Sequence, residues 1–132
     1  MIFIDSNVFI ALRYLDHPLH EKALKISSRI SEPLVTTNIV ISETLTVLSM
    51  RVSKLLAIQF GKDLQKQDIQ TVYIDHPLHE KAWEIFRKIK NKNISFFDCT
   101  SFAVMQNLKI RKAFSFDRDF QKYGYELENE GN

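Results

Sequence analysis

The chain contains little of several residues that characterise particular protein classes. It has one cysteine among 132 residues, so an internal disulfide framework is excluded. Three glycines and three prolines are too few for a linker-rich or disordered chain and favour a compact, helix-rich body. No apolar run approaches the roughly 20 residues of a membrane-spanning helix. We therefore expect a soluble, cytoplasmic protein that does not contact a membrane.

The chain also has little net charge. Its 18 Lys and Arg residues and 16 Asp and Glu residues give a formal charge of +2, which is too small for a protein whose whole surface binds nucleic acid. Met1–Asp5 contains no basic segment, so it is predicted to be a buried strand and not a signal peptide. The 45% hydrophobic content is sufficient for one core. We expect one domain over residues 1–127, followed by a frayed acidic tail at 128–132.

Predicted strands and helices alternate along the chain. The predicted strands are Met1–Asp5, Leu34–Thr37, Gln70–Ile74, Lys112–Phe116 and a possible edge strand at Tyr123–Leu127. The predicted helices are Asn7–Leu15, Pro18–Ile30, a helix capped by Asn38 or Ser42 and ending near Arg51, Ser53–Lys66, Pro77–Ile89 and Asp98–Leu108. This alternation indicates an α/β fold with a mostly parallel central sheet of four to five strands.

Four carboxylates lie next to apolar segments. They are Asp5, Glu43, Asp98 and Asp117. Apolar neighbours draw the backbone into the core, where an unpaired carboxylate is costly unless it binds a metal. Ligand sites in parallel sheets lie beyond the carboxyl ends of the strands, so the four side chains are predicted to meet at one edge. The pattern predicts a shared acidic pocket for a hard cation.

Each carboxylate alone also has an ordinary structural explanation. Asp5 and Asp98 could cap helices, because each lies where a predicted helix begins. Glu43 could be a solvated charge in the first turn of a helix, and Asp117 could be a turn residue. The combination of the four, in this order, is what favours a site.

The chain resembles the PIN-domain family, specifically the small VapC-like toxin ribonucleases, over essentially its whole length. The resemblance depends on four short motifs: Ile4-Asp5-Ser6-Asn7, Glu43 on a helix after a short strand, Phe97-Asp98 at a helix start, and Ser115-Phe116-Asp117-Arg118-Asp119-Phe120. It implies a three-layer α/β/α fold and a metal-dependent endoribonuclease that cleaves RNA phosphodiesters. It further implies the toxin of a type II toxin–antitoxin pair, a cognate antitoxin and a homodimer.

The resemblance also implies roles for individual residues. Asp5 and Asp98 would be the main ligands of Mg²⁺ or Mn²⁺, and Glu43 and Asp117 would complete the site directly or through water. The remaining assignments are supporting roles for Asn7, Ser115 and Asp119 and RNA contacts by Arg118, Arg13 and Arg51. Which carboxylate acts as the base is left open. Family members commonly have alanine where this chain has Cys99, which we expect to be a small buried residue.

An eight-residue segment occurs twice. Asp16–Ala23 and Asp75–Ala82 have the identical sequence DHPLHEKA, and all four histidines lie in these copies. The simpler explanation is one helix start used twice, with Asp at the cap and Pro in the first turn. The alternative is a metal site built from His-x-x-His pairs. We favour the helix start, because nothing requires the two copies to meet in space.

Two other functional classes compete with a nuclease. A catalytically idle PIN-like scaffold would bind RNA or protein, but it would have little need for all four acids. A phospho-acceptor domain of flavodoxin-like fold also places acids at strand ends around Mg²⁺. That domain would have two adjacent acids after the first strand, whereas Asp5 is alone.

Overall fold

Five short strands form one parallel sheet in the computed structural model, which describes residues 1–129. The strands are β1 (Ile2–Ile4), β2 (Leu34–Thr37), β3 (Ile69–Val72), β4 (Lys112–Phe114) and β5 (Glu126–Leu127). Their order across the sheet is β3-β2-β1-β4-β5, and every neighbouring pair is parallel. A flavodoxin-like sheet would place β1 between β2 and β3, so this order excludes that rival.

Helices on the sheet complete the predicted three-layer α/β/α fold, which is confirmed. They are α1 (Ser6–Arg13), α2 (His20–Arg29), α3 (Asn38–Arg51), α4 (Lys54–Leu64), α5 (His76–Lys88), α6 (Phe96–Asn107) and α7 (Asp119–Lys122). The short helix α7 was not predicted. The predicted strand to Phe116 ends at Phe114, because Ser115 and Phe116 form hydrogen bonds with the start of α1 instead of continuing the strand.

The core lies along the central strand and helix α6. All three residues of β1 are buried, as expected for a strand covered on both faces. Helix α6 has an unbroken buried run over residues 99–105, so it is inserted into the body and does not lie on its surface. The rings of Phe3 and Phe102 both pack on Phe120 of α7, with centroids 6.2 and 5.2 Å away. These contacts hold the segment after β4 against the core. Cys99 is fully buried, as expected.

Side-chain caps fix where the helices near the sheet edge begin. Thr37 accepts a hydrogen bond from the Val40 N–H and is the N-cap of α3, so the predicted cap at Asn38 or Ser42 was wrong. This cap places Glu43 in the second turn of the helix and not in the first. Ser95 caps α6, which begins at Phe96, two residues before the predicted start at Asp98. The predicted cap of α4 by Ser53 is confirmed.

The repeated octapeptide begins its two helices at different points. In the second copy, Asp75 caps α5 by accepting from the Leu78 N–H, as the helix-start explanation predicts. In the first copy the helix begins only at His20, and its N-cap residue Leu19 makes no side-chain cap. The His17 ring accepts a hydrogen bond from the Leu19 N–H instead. Among the residues described, no histidine belongs to a cluster with metal-ligand spacing, so the His-x-x-His alternative has no support.

The structure tests only part of what was expected about the membrane, the cellular location and the acidic tail. Within residues 1–129, none of the helices is both long and apolar enough to cross a membrane. The cytoplasmic location stays a prediction. The predicted acidic tail falls partly outside the described residues, but Glu128 at its start is held in place, because its N–H donates to the Ala113 carbonyl at 2.9 Å.

Candidate functional site

The sheet topology brings the predicted acids to one edge. Asp5 directly follows β1, and Asp117 and Asp119 follow the neighbouring strand β4. Asp98 joins them from the first turn of α6, and Glu43 from the second turn of α3. Parallel strands end on the same side, so residues far apart in the sequence meet here.

Three aspartates form the tightest group. One carboxylate oxygen each from Asp98, Asp117 and Asp119 lie within 4.8 Å of one another. Every atom that this group offers to a metal is a carboxylate oxygen, the ligand type that hard divalent cations prefer. The group therefore fits a divalent metal ion of that kind. Asp119 was expected only in a supporting or surface role, and the geometry places it among the candidate ligands.

Asp5 is buried beside this group and is held by three donors. Its residue surface is 7% exposed. Oδ1 accepts from the Ser6 N–H at 2.9 Å, and Oδ2 accepts from the Ser115 hydroxyl at 3.0 Å. The Asn7 amide lies 3.4 Å from Oδ2. Asp5 is therefore both the N-cap of α1 and a carboxylate oriented at the acidic edge, so its structural and functional explanations are compatible.

Asn7 and Ser115 tie the loop after β4 to the start of α1. The Asn7 side chain donates from Nδ2 to the Ser115 Oγ at 3.1 Å and accepts the Phe116 N–H on Oδ1 at 3.1 Å. The Asp117 N–H donates to the same Ser115 Oγ at 3.0 Å. These bonds are what the predicted supporting roles require, since they fix the backbone that presents Asp117.

Glu43 reaches the site through a residue that sequence reasoning did not single out. The Ser6 hydroxyl donates to Glu43 Oε1 at 2.5 Å, while the Ser6 N–H binds Asp5. One buried serine therefore connects two carboxylates from different helices. The available signal was the position of Ser6 between Asp5 and Asn7, two residues already assigned to the site.

Asp98 has a structural bond in addition to its place in the cluster. Its Oδ2 accepts the Ser95 N–H at 3.2 Å, and its own N–H donates to Ser95 Oγ at 3.1 Å, which completes a capping box. Among the described residues, no donor contacts the other oxygen, Oδ1. The cap thus fixes the side chain and leaves an oxygen available to a ligand.

Burial and mutual repulsion make two of these carboxylates unusually basic. Removal from water raises the pKa of Asp5 to about 7, against the lowering effect of the Ser6 and Ser115 hydrogen bonds, and the charges of Asp98 and Glu43 raise it further. Desolvation likewise raises the pKa of Asp98 to about 6, and the Asp117 and Asp119 charges add to it. A bound cation would relieve this repulsion. Clefts that shift pKa values this way are typical of functional sites.

The predicted RNA-contacting arginines lie in three different places. Arg118 is exposed between two of the clustered aspartates and forms no ion pair with any residue in 1–129. Arg13 is in the last turn of α1 and pairs with Asp63 at 2.7 Å. Arg51 is in the last turn of α3. With roughly 3.6 residues per turn, Arg13 lies about two turns beyond the start of α1, and Arg51 lies about two turns beyond Glu43 on α3.

One cation near the site was not predicted. The Lys22 Nζ lies 5.9 Å from the centre of the Phe116 ring, and Phe116 directly precedes Asp117. Lys22 is exposed on α2, within the first copy of the repeat. Its only signal in the sequence was a place in that repeat, which does not indicate that α2 packs beside the loop after β4.

A parallel sheet in this strand order, with carboxylates gathered at its carboxyl edge, defines the class of protein. The PIN domain family model matches residues 2–125, and the chain belongs to that family. The resemblance predicted from the motifs is therefore confirmed.

Specific relatives support the same assignment. The chain is 30% identical over 125 residues to the 23S rRNA-specific endonuclease VapC20 of Mycobacterium tuberculosis, with 95% of each chain covered. The crystal structure of that protein, described as a Sarcin-Ricin loop cleaving toxin, superposes with a TM-score of 0.89 at 29% identity and covers 95% of this chain and 96% of its own. FitAcB from Neisseria gonorrhoeae shares the fold, with a TM-score of 0.69 at 18% identity and 98% of both chains covered.

Proposed function

We propose that this protein is a metal-dependent endoribonuclease and the toxin of a toxin–antitoxin pair. One observation carries the proposal: Asp98, Asp117 and Asp119 gather their carboxylates within 4.8 Å beside the buried Asp5. Such a concentration of charge is unfavourable unless a cation occupies it. The family membership and the similarity to a 23S rRNA-specific endonuclease point to RNA as the substrate.

The metal would be Mg²⁺ or Mn²⁺, held by the three clustered aspartates with Asp5 and Glu43 alongside. These are hard cations that favour oxygen ligands and retain water molecules. When bound, such an ion supplies positive charge that stabilises the phosphodiester transition state and makes a bound water more acidic.

The protein's own contribution is to hold the carboxylates in position before substrate arrives. Ser115 and Asn7 fix Asp5 and the backbone before Asp117, and Ser95 fixes Asp98. Ser6 orients Glu43. Supporting hydrogen bonds of this kind keep ligand oxygens within the small displacements that metal binding and catalysis tolerate.

An acidic site needs nearby cations to attract a phosphate backbone. Arg118 is the best placed of the predicted arginines, because it is exposed beside Asp117 and Asp119. Lys22 is a second candidate, because its Nζ lies 5.9 Å from the centre of the Phe116 ring, which directly precedes Asp117. Arg13 is less well suited, since its guanidinium is paired with Asp63 and its position is remote from the acids.

Binding to a cognate antitoxin and to a second copy of the chain are further parts of the proposal. The ends of α1 and α3 and the start of α4 surround a largely apolar cavity of about 480 Å³. Leu15 and Leu55 at this cavity are 77% and 76% exposed. Exposed leucines around a cavity are typical of protein-binding surfaces, so this cavity is the surface that we propose for contacts with protein partners.

The decisive experiment is cleavage of labelled structured RNAs, including the sarcin-ricin loop, in Mg²⁺, Mn²⁺ or EDTA. Wild type should cut with metal and not in EDTA, and Asp98→Asn should not cut although it remains folded. Cutting that survives in EDTA would refute metal dependence. Absence of both cutting and Mn²⁺ binding would refute the nuclease and favour the idle RNA- or protein-binding scaffold.

A further inference from the structure

Two adjacent phenylalanines at the start of α6 have different environments. The Phe96 ring packs on α5, with its centroid 5.2 Å from His79 and 5.6 Å from Phe86. Phe97 has no aromatic ring contact with the rest of the described chain, and it is 58% exposed. Ring packing between helices therefore accounts for the position of Phe96 but not for that of the exposed Phe97.

Phe97 forms one wall of a cavity that borders the acidic site. The cavity has a volume of about 330 Å³ and lies between α3 and the start of α6. Its lining residues are Ile39, Ser42, Glu43, Thr46, Val47 and Phe97. Glu43 is the charged residue of this lining, and the same side chain accepts the Ser6 hydroxyl beside Asp5. The cavity and the acidic site therefore share a wall.

The position of the cavity limits what can occupy it during cleavage. Phe97 directly precedes the candidate ligand Asp98, and consecutive Cα atoms are only about 3.8 Å apart. A base is joined to its backbone phosphate through a single ribose. A nucleotide whose phosphate lies at the carboxylates therefore has its base within reach of this cavity.

We infer that this cavity binds an unpaired nucleobase adjacent to the cleaved phosphate and that the Phe97 ring stacks on it. The inference depends on the proposed function and specifies its substrate as RNA with an unstacked base, as in a loop or single strand. Proteins that recognise such RNA commonly stack bases on exposed aromatic side chains. A flat apolar wall next to the reacting phosphate also orients the backbone for attack.

The test measures binding separately from cleavage. A short single-stranded oligoribonucleotide carrying one 2-aminopurine is titrated with Phe97→Ala, Phe97→Leu and Phe97→Tyr, each combined with Asp98→Asn to prevent cutting. Stacking on Phe97 quenches the 2-aminopurine fluorescence. We expect Phe97→Ala and Phe97→Leu to weaken binding roughly tenfold and to lose the quenching, while Phe97→Tyr retains both. Met50→Ala, which removes an 80% exposed apolar side chain from the far end of α3, should bind like the parent.

Other results would overturn the inference. Full affinity and quenching in Phe97→Leu would show that the position needs no aromatic ring. Unchanged RNA binding together with altered self-association of Phe97→Ala in sedimentation would make Phe97 a protein contact. Because quenching is measured without cleavage, a wild type that neither cuts RNA nor binds Mn²⁺ but still quenches through Phe97 would refute the nuclease and leave the base site supported.

Discussion

The hydroxyl of Ser115 donates a 3.0 Å hydrogen bond to Asp5 Oδ2, joining the end of β4 to the end of β1 across 110 positions of the chain. Ser115 Oγ in turn accepts hydrogen bonds from the Asn7 side-chain amide and from the Asp117 N–H. One small side chain thus positions both the buried carboxylate of Asp5 and the backbone of Asp117, a partly buried candidate ligand. The positions of Asp5 and of the backbone before Asp117 therefore depend on the same hydroxyl.

Ser115→Ala should impair the site more than the fold. The loss of a donor to Asp5 removes an effect that lowers its pKa, so deprotonation and metal binding should require higher pH. The cost in unfolding free energy should be about 1–2 kcal/mol. Mn²⁺ titration across pH measures the first effect, and urea unfolding in EDTA measures the second.

The control for this variant is Ser53→Ala, which removes the N-cap of α4. It should cost about 1 kcal/mol of unfolding free energy without moving the pH dependence of metal binding. If both serine variants leave that pH dependence at its wild-type position, the Ser115 hydroxyl does not control Asp5.

The stability of the metal-free protein should fall as pH rises from about 4 to about 7. The raised pKa values of Asp5, about 7, and Asp98, about 6, mean that the folded state binds more protons than the unfolded state in this window. Metal binding requires the deprotonated forms, so metal affinity should rise through pH 6–7. Thermal unfolding in EDTA and in Mn²⁺ should therefore show opposite slopes with pH. Parallel slopes would contradict the assignment.

Asp5→Asn should stabilise the metal-free protein at neutral pH while abolishing metal-dependent activity. It removes a buried charge whose ionisation is disfavoured, and one pKa unit corresponds to about 1.4 kcal/mol, so we expect a gain of roughly 1–3 kcal/mol. Urea unfolding in EDTA at pH 7.5–8 measures this gain in unfolding free energy. That pH range lies about half a unit or more above the Asp5 pKa of about 7, so Asp5 is mostly ionised in the wild type.

Asp63→Asn removes a carboxylate whose pKa is lowered, whereas Asp5→Asn removes one whose pKa is raised. The Arg13 guanidinium, through its hydrogen bond, holds the pKa of Asp63 below the usual range. Its neutralisation should cause a slight loss of stability and no loss of metal binding. A gain of stability in this variant comparable to that of Asp5→Asn would indicate a general charge effect and not one specific to the acidic site.

Asp119→Asn should weaken Mn²⁺ binding about as much as Asp117→Asn does. The carboxylates of both residues lie within 4.8 Å of that of Asp98, so either change removes one ligand oxygen of the cluster. Lys122→Ala is the matched control, because Lys122 pairs with Asp119 at 3.7 Å without belonging to the cluster. Calorimetric titration with Mn²⁺ compares the three. Wild-type affinity in Asp119→Asn would return this residue to the supporting role first expected of it.

His20→Ala and His79→Ala should differ, although the two histidines occupy the same place in the repeat. His20 is buried and hydrogen-bonds the Ala11 carbonyl at 2.7 Å, so its loss should cost about 1–3 kcal/mol by leaving a cavity and an unpaired carbonyl. His79 is exposed, and its ring packs against that of Phe96. Its removal should cost less than about 1 kcal/mol. Equal losses in urea unfolding would contradict this reading.

The parts of the fold that the sequence predicted correctly depend on local patterns. The apolar segment before Asp5 can bury all of its side chains only as a strand covered on both faces. The alternation of strands and helices then favours parallel neighbouring strands. Since parallel strands end at one edge, the meeting of Asp5 with Asp117 was predictable. The family motifs added the order in which Glu43 and Asp98 join them.

The parts that were not predicted depend on contacts between distant segments. Asp119 enters the cluster because its N–H donates to Asp117 Oδ1 at 2.9 Å and turns the chain into α7, which neither residue type dictates. The identical octapeptides have different surroundings, since His20 of the first copy hydrogen-bonds the Ala11 carbonyl and His79 of the second packs on the Phe96 ring. Lys22 reaches Phe116 only because α2 packs where it does.

The strand order has a consequence for how the protein is made. β1 is synthesised before its neighbour in the sheet, β4, and Ser115, Asp117 and Asp119 all follow β4. A nascent chain that stops before Phe114 therefore carries Asp5 and Asp98 but has neither the strand nor the loop that completes the site. For an enzyme that we propose cuts RNA, products terminated before β4 would be inert, and activity would begin only after the loop that follows β4 has been made.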